Sequence, residues 1–236
     1  MCYSNSSTSS NIELSKHYNR KIPDGFPETI YFYASGFKFP NWRIINSEFE
    51  IQNMNWGLVP SWCRSKKEDF AKYTLNCKVE TIFDKPSFKK IALTNRCIIP
   101  STGFFEWQQI GKVKVPYFIF HPKGEILSFA GLWDKNIDIL TGAEYFSFTI
   151  ITCEANEYMA QIHNTKKRMP LILGSDISKD DWLSGKTEMK LIVNNTKHLT
   201  LSSHQINKKL ILSQNSNSSD IQLPYSNIDF KQESLF

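Results

Sequence analysis

Between Cys97 and Thr152 the chain alternates short apolar or aromatic runs with turn residues, and few folds other than a β meander accept that pattern. Cys97–Pro100 is a short apolar run, and Phe104–Gln109 follows it before a turn at Ile110-Gly111. Pro116–Phe120 pairs back, Pro122-Lys123-Gly124 turns again, and Ile126–Leu132 and Tyr145–Thr152 continue, with Thr141-Gly142 in the connection. Upstream, Ile30–Tyr33 and Trp42–Ile45 predict two strands broken by Gly36 and Pro40, and Trp56–Trp62 a strand ending in a turn. Leu171–Leu173 predicts one more. Short helices are expected over Ile12–His17, within Lys66–Thr81, from Asp84 to Phe88, and over Glu154–His163, where Ala155, Met159 and Ile162 share a face. Another is expected at Ser178–Leu183, where Ser178 and Asp181 have the spacing of a helix start. Residues 3–21 are otherwise polar and read as loop. The expected fold class is α+β, a single domain around a curved, mostly antiparallel, barrel-like β-sheet with flanking short helices. The domain is expected over residues 2–212, and the Asn/Ser-rich stretch at 213–236 as a flexible tail.

A chain of 236 residues with 41% hydrophobic and 14% aromatic content can bury a substantial core. It holds no apolar run of roughly eighteen residues, so no membrane helix is expected. The segment Tyr3–Ser7 is polar and lacks a signal core, so a cytoplasmic protein is expected. The five cysteines, Cys2, Cys63, Cys77, Cys97 and Cys153, are odd in number and form no Cys-x-x-Cys. Neither a disulfide framework nor a metal centre is expected, and no other cofactor. Four of them read as small buried hydrophobes. A formal net charge of +5 permits binding to a phosphate backbone without requiring it.

Cys2 raises a sharper question. If Met1 is removed, Cys2 carries a thiol and a free α-amine on one two-carbon frame. Such a 1,2-aminothiol condenses with an aldehyde, first to an imine and then to a five-membered thiazolidine. Glu106, flanked by Phe104, Phe105 and Trp107, is either an outward strand residue or a desolvated acid whose pKa rises toward neutrality. His163 ends a predicted helix, where it either complements the helix dipole or serves as a base.

A Met-Cys start and five ordered segments carry a resemblance. The chain begins Met-Cys. It then holds Trp56-Gly57-Leu58-Val59-Pro60-Ser61-Trp62, then Asn76-Cys77-Lys78-Val79-Glu80-Thr81, then Arg96-Cys97-Ile98-Ile99-Pro100-Ser101-Thr102-Gly103-Phe104-Phe105-Glu106-Trp107. Ala130-Gly131-Leu132-Trp133 and His163 followed by Arg168-Met169-Pro170 complete the series. Together they resemble the SOS-response-associated peptidase (SRAP) family of abasic-site processing proteins.

The resemblance implies binding of single-stranded DNA at abasic sites and a covalent thiazolidine link from Cys2 to the ring-opened sugar aldehyde, which shields the strand from cleavage. It also implies autopeptidase and weak lyase activity. Carried over residue by residue, Cys2 supplies both nucleophiles, Asn76 orients the terminus or the sugar, Glu106 shuttles protons, and His163 assists at the sugar hydroxyl and in reversal. Lys78, Arg168, Lys166 and Lys167 are expected at the DNA backbone, and Trp62 as a stacking surface, while Trp107 is expected in the core. A monomer is expected. Three departures stand out. Lys78 replaces an arginine and loses its bidentate fork. Tyr3-Ser4 replaces Gly-Arg. Four residues, rather than one, separate His163 from Arg168. Two other classes fit the residues alone: a Cys2-dependent peptidase or amidohydrolase that turns over, and a passive single-stranded nucleic-acid-binding module with salt-dependent affinity.

Overall fold

In the computed structural model, which describes residues 2–213 and 217–225, the two longest strands are β9 (Leu127–Ile137) and β10 (Glu144–Glu154). They form an antiparallel pair from Glu144↔Ile137 to Ile150↔Gly131, and the first sheet grows around them. β9 also takes β6 (Arg96–Ser101) and the short β12 (Ile172–Leu173). β4 (Gln52–Trp56) runs parallel to β10 and carries β3 (Asn41–Ile44) on its far side. Two three-residue strands then extend β10 on opposite edges. β5 (Asn76–Lys78) is parallel to it, with Thr152 opposite Lys78, and β11 (Arg168–Pro170) is antiparallel, with Thr152 opposite Pro170.

A second sheet has the order β13 (Ser202–Gln205), β8 (Val113–Phe120), β7 (Gly103–Ile110), β1 (Ser4–Ser7) and β2 (Tyr31–Ser35), antiparallel throughout. The single curved sheet expected from the sequence is thus two sheets, and the first is mixed. The meander between residues 97 and 152 divides between them, with β7 and β8 in one and β6, β9 and β10 in the other. Among the described residues, six short α-helices flank the sheets: α1 (Asn11–Tyr18), α2 (Lys67–Ala71), α3 (Glu157–Ile162), α4 (Lys179–Leu183), α5 (Met189–Lys197) and α6 (Lys208–Leu212). Ser178 caps α4 through its side chain, as the Ser178/Asp181 spacing predicts. The helix expected from Asp84 to Phe88 is replaced by successive hydrogen-bonded turns, such as Phe88 N to Lys85 O and Ala92 N to Phe88 O. Pro86 deprives that stretch of a donor.

The element that sequence patterning missed is β1. Ser4-Asn5-Ser6-Ser7 reads as loop, yet all four residues are buried between β2 and β7. The burial is tolerated because the hydroxyls have partners. The Ser6 hydroxyl meets that of Thr102 at 2.9 Å, Ser4 Oγ meets the Tyr33 hydroxyl at 3.0 Å, and buried Arg43 donates to Ser7 Oγ at 3.0 Å. Gly103 makes room at the start of β7: a Cβ there would collide with the Phe118 ring. α1 then starts at Ser10 with a capping box closed by Glu13. Threading β1 between two partners places Cys2 and Tyr3 beside the middle of β7.

The tail expected over 213–236 falls largely outside the described residues. Where it is described, it packs: Asn217 Oδ1 accepts the Phe32 N–H at 2.7 Å, Gln222 donates to Phe32 O at 2.8 Å, and Ile221 is buried.

Candidate active site

β7 changes character along its length. Phe104, Phe105 and Glu106 are buried, while Trp107 and Gln109 emerge into a cleft of about 560 Å³. The cleft is lined by Tyr3, Glu106, Trp107, Gln109 and His163, with Lys114, Thr165, Lys166 and Lys208 around them. The register of β1 against β7, Ser4↔Phe105, continued one step outward sets Tyr3 opposite Glu106. Tyr3 also rests on the Phe37 ring, with centroids 4.9 Å apart. The wall of the cleft therefore begins at the residue after Cys2.

Glu106 is 3% exposed, so the outward-facing alternative is excluded. Burial drives its pKa up from the ordinary 4.5 to about 8, and at neutral pH it holds its proton. His163 is the C-cap of α3 and is also buried. Burial pushes its pKa below the usual histidine value. Its Nδ1 lies 2.9 Å from Arg168 O and 3.6 Å from Glu106 Oε1. A carbonyl can only accept, so Nδ1 carries the proton and Nε2 the lone pair. The residue after His163 fastens it to β7. Asn164 Oδ1 accepts the Gln109 N–H at 2.9 Å and its Nδ2 donates to Gln109 O at 2.8 Å, imitating a strand partner.

Cys2 is fully buried in the core, its Sγ 3.7 Å from Ser4 O. Burial, and then the nearby Glu106 carboxyl, push its thiol well above the ordinary cysteine value. The thiol is therefore close to Glu106 but is protonated and enclosed. Asn76, on β5, does not line the Glu106 cleft. It is nevertheless unusual: Oδ1 and Nδ2 are both enclosed with no hydrogen-bond partner among the described residues. A buried amide left unpaired on both sides costs stability and marks a place where a ligand group can satisfy it.

The residues expected at DNA divide. Lys166 lines the cleft, Lys167 is exposed beside it in a left-handed conformation with φ 48°, and Lys78 is exposed at the end of β5. Arg168 is not an open cation. It forks onto Glu80 at 2.6 and 3.0 Å and donates to Thr152 O at 2.7 Å. Trp62 is 53% exposed, edge-on to Phe70, and lies outside the cleft lining. Trp107, expected in the core, instead forms part of the cleft wall. Sequence reasoning missed Tyr3, Lys114 and Lys208, which only the β1–β7–β8 order and α6 bring to Glu106. The described residues contain no cluster of His, Cys, Asp or Glu that could hold a metal ion.

The chain matches the profile of the SOS response associated peptidase (SRAP) family over residues 1–211. It is 38% identical over 146 residues to the abasic site processing protein YoaM of Bacillus subtilis, a match spanning 61% of each chain. Over 160 residues it is 36% identical to the abasic site processing protein HMCES of Gallus gallus, spanning 58% of this chain and 46% of the relative. The matched stretches therefore span under two thirds of the length of these curated relatives. Among solved structures, a protein from Bacteroides thetaiotaomicron superposes with a TM-score of 0.87 at 34% identity, covering 95% of this chain and 100% of that one. A protein from Bordetella bronchiseptica, 20% identical, shares the fold with a TM-score of 0.70 over 87% of this chain and 100% of its own. With its ordered motifs, two-sheet architecture and matching profile, the chain belongs to the SOS response associated peptidase family.

Proposed function

We propose that this protein processes abasic sites in single-stranded DNA by capturing the ring-opened sugar aldehyde on Cys2. The observation that carries this reading is a buried carboxyl, Glu106, 3.6 Å from the buried His163, in a cleft whose wall starts at Tyr3; burial favours the neutral form of both groups. Removal of Met1 converts the Cys2 amide nitrogen into an amine, whose ordinary pKa of about 7.7–8.0 leaves a useful neutral fraction at pH 7. The amine adds to the aldehyde carbon. Glu106 donates its proton to the departing hydroxyl and takes one back from the nitrogen, so that water and an imine form. Cys2 then turns its thiol out of the core, and sulfur adds to the imine carbon while the thiol proton passes to nitrogen. The net change is aldehyde plus aminothiol to thiazolidine plus one water. The Nε2 lone pair of His163 takes and returns protons at the sugar hydroxyl. Asn76 supplies its unpaired amide to the terminus or the sugar. Lys114, Lys166, Lys167, Lys208 and Lys78 neutralise phosphates, and Trp107 and Trp62 offer ring faces to bases.

The test is incubation of the processed chain with single-stranded DNA bearing one abasic site, followed by a denaturing gel and intact mass. The expected adduct weighs the sum of the two partners less one water and is absent with Cys2→Ala. Equal crosslinking by Cys2→Ala would sink the aminothiol reading. Tight, salt-dependent binding to intact and abasic strands alike, without an adduct, would identify a passive binding module. Repeated turnover of peptide or amide substrates would identify a hydrolase.

A further inference from the structure

We propose that Glu80, acting through Arg168, is a positioning residue that fixes the tautomer and orientation of His163. This rests on the reading of His163 as the base of the site. Three elements meet at Arg168. Its backbone carbonyl receives the Nδ1–H of His163 at 2.9 Å. Its guanidinium forks onto both carboxylate oxygens of Glu80, on the 3-10 turn Val79–Thr81 that follows β5. The same nitrogen that reaches Glu80 Oε2 also donates to Thr152 O at 2.7 Å, and Thr152 Oγ1 in turn donates to Cys77 O at 3.2 Å. Arg168 thereby ties β11, β10 and the Asn76 strand to the carbonyl that selects which nitrogen of His163 holds the proton.

The intervening chain explains why such an anchor is needed. Thr165, Lys166 and Lys167 are exposed, and Lys167 adopts φ 48°, a conformation that non-glycine residues rarely hold. On the near side, Asn164 hooks His163 to β7 through Gln109. On the far side, β11, the Lys167 N–H to His163 O bond at 2.8 Å and the Ala155 N–H to Lys167 O bond at 2.9 Å brace the backbone, and the Arg168 side chain adds the one charged anchor among the residues of β11. A bidentate carboxylate–guanidinium pair fixes direction as well as distance. Lysine cannot replace that fork.

The test uses the full processed chain, with ring-¹⁵N histidine, as wild type, Glu80→Gln and Arg168→Lys. In the wild type, His163 is expected to show the shifts of a single Nδ1–H tautomer. In both variants it is expected to move toward a tautomer mixture. The capture rate at saturating abasic strand should fall by about tenfold to a hundredfold, the upper figure being the cost of a misplacement of roughly 1 Å. Affinity for an intact strand should stay within about twofold, as for a residue that does not touch DNA. An unchanged tautomer signature in both variants overturns the proposal. So does an unchanged capture rate with altered affinity, because freeing or trimming a phosphate-binding cation acts on affinity. Glu80→Gln retains the size of the native side chain, so a folding defect confined to Arg168→Lys leaves it to decide. A wild type that forms no adduct would sink the proposed function, and the tautomer measurement would still decide this point.

Discussion

Glu106 Oε1 and His163 Nδ1 lie 3.6 Å apart, both enclosed, and burial works against an ion pair between them by favouring the neutral form of each. Burial holds the carboxyl protonated to about pH 8 and holds the imidazole neutral below its ordinary range. A separated charge pair at this depth would have to recover the desolvation of two ions. An acid beside a base, each neutral, avoids that cost and suits a reaction that both gives and takes protons. Two titratable groups whose environments push their pKa values in opposite directions mark an acid–base division of labour.

The first prediction concerns the acid. Glu106→Gln should slow capture of the abasic aldehyde by about a hundredfold or more, the usual contribution of a positioned general acid. In the wild type the rate should fall as pH rises through about 8, where Glu106 loses its proton. The variant should lack that alkaline limb. Single-turnover rates between pH 6 and 9.5 check both. An alkaline limb that persists unchanged in Glu106→Gln assigns it to another group.

The same shift makes a stability statement. The folded-state pKa of Glu106 lies above its unfolded value, so its contribution is fully present below the ordinary 4.5 and is lost as pH rises toward about 8. The depressed His163 acts in the opposite sense: its contribution holds above the ordinary 6.5 and is lost as pH falls below it. Denaturant midpoints at pH 5, 7 and 9 should therefore decline less steeply toward alkaline pH in Glu106→Gln than in the wild type. Parallel curves would show that Glu106 titrates normally.

Much of the strand content was legible, because β6 to β10 alternate aromatic and β-branched runs with Gly and Pro turns. β1 was not, because a Ser-Asn-Ser-Ser strand carries no apolar signal. Its burial depends on Thr102, Tyr33 and Arg43, which lie far away in sequence. Glu106 and His163 could be named from motifs, but their contact could not. It is created by Asn164 grafting the end of α3 onto β7. Arg168, expected at the DNA backbone, is engaged by Glu80, which sits 88 residues earlier, and no local pattern announces that fork. The parallel placement of β5 on β10 is non-local in the same way, and it gives Asn76 its unpaired amide.

The tryptophans separate by position. Trp107 lines the cleft, and Trp62 stands outside it against Phe70. With an oligonucleotide only a few nucleotides long and centred on the abasic sugar, Trp107→Ala should weaken binding by about 1–3 kcal/mol, the size of one stacked base. Trp62→Ala should matter only once the strand is long enough to leave the cleft. Fluorescence anisotropy with a length series of oligonucleotides checks this. Equal sensitivity of the shortest strand to both variants would place Trp62 in the same site.

Asn76 offers the cleanest separation of function from stability. Both polar atoms of its side chain are enclosed and unpartnered among the described residues, so the native side chain bears a desolvation penalty that an apolar one would not. Asn76→Leu, which keeps the branched shape though its methyls are bulkier, should raise the stability of the DNA-free protein by about 1–2 kcal/mol, read from the guanidinium midpoint at unchanged slope. It should also suppress adduct formation, because leucine cannot hydrogen-bond the terminus or the sugar. The two effects have opposite signs, so a general folding defect cannot imitate them. A destabilised Asn76→Leu would mean that the amide has partners in solution, and a stabilised variant that still captures the aldehyde at the wild-type rate would remove Asn76 from the site. Saturation with abasic strand supplies a further check: if the ligand satisfies the amide, bound wild type should recover the stability difference, and bound Asn76→Leu should not gain it.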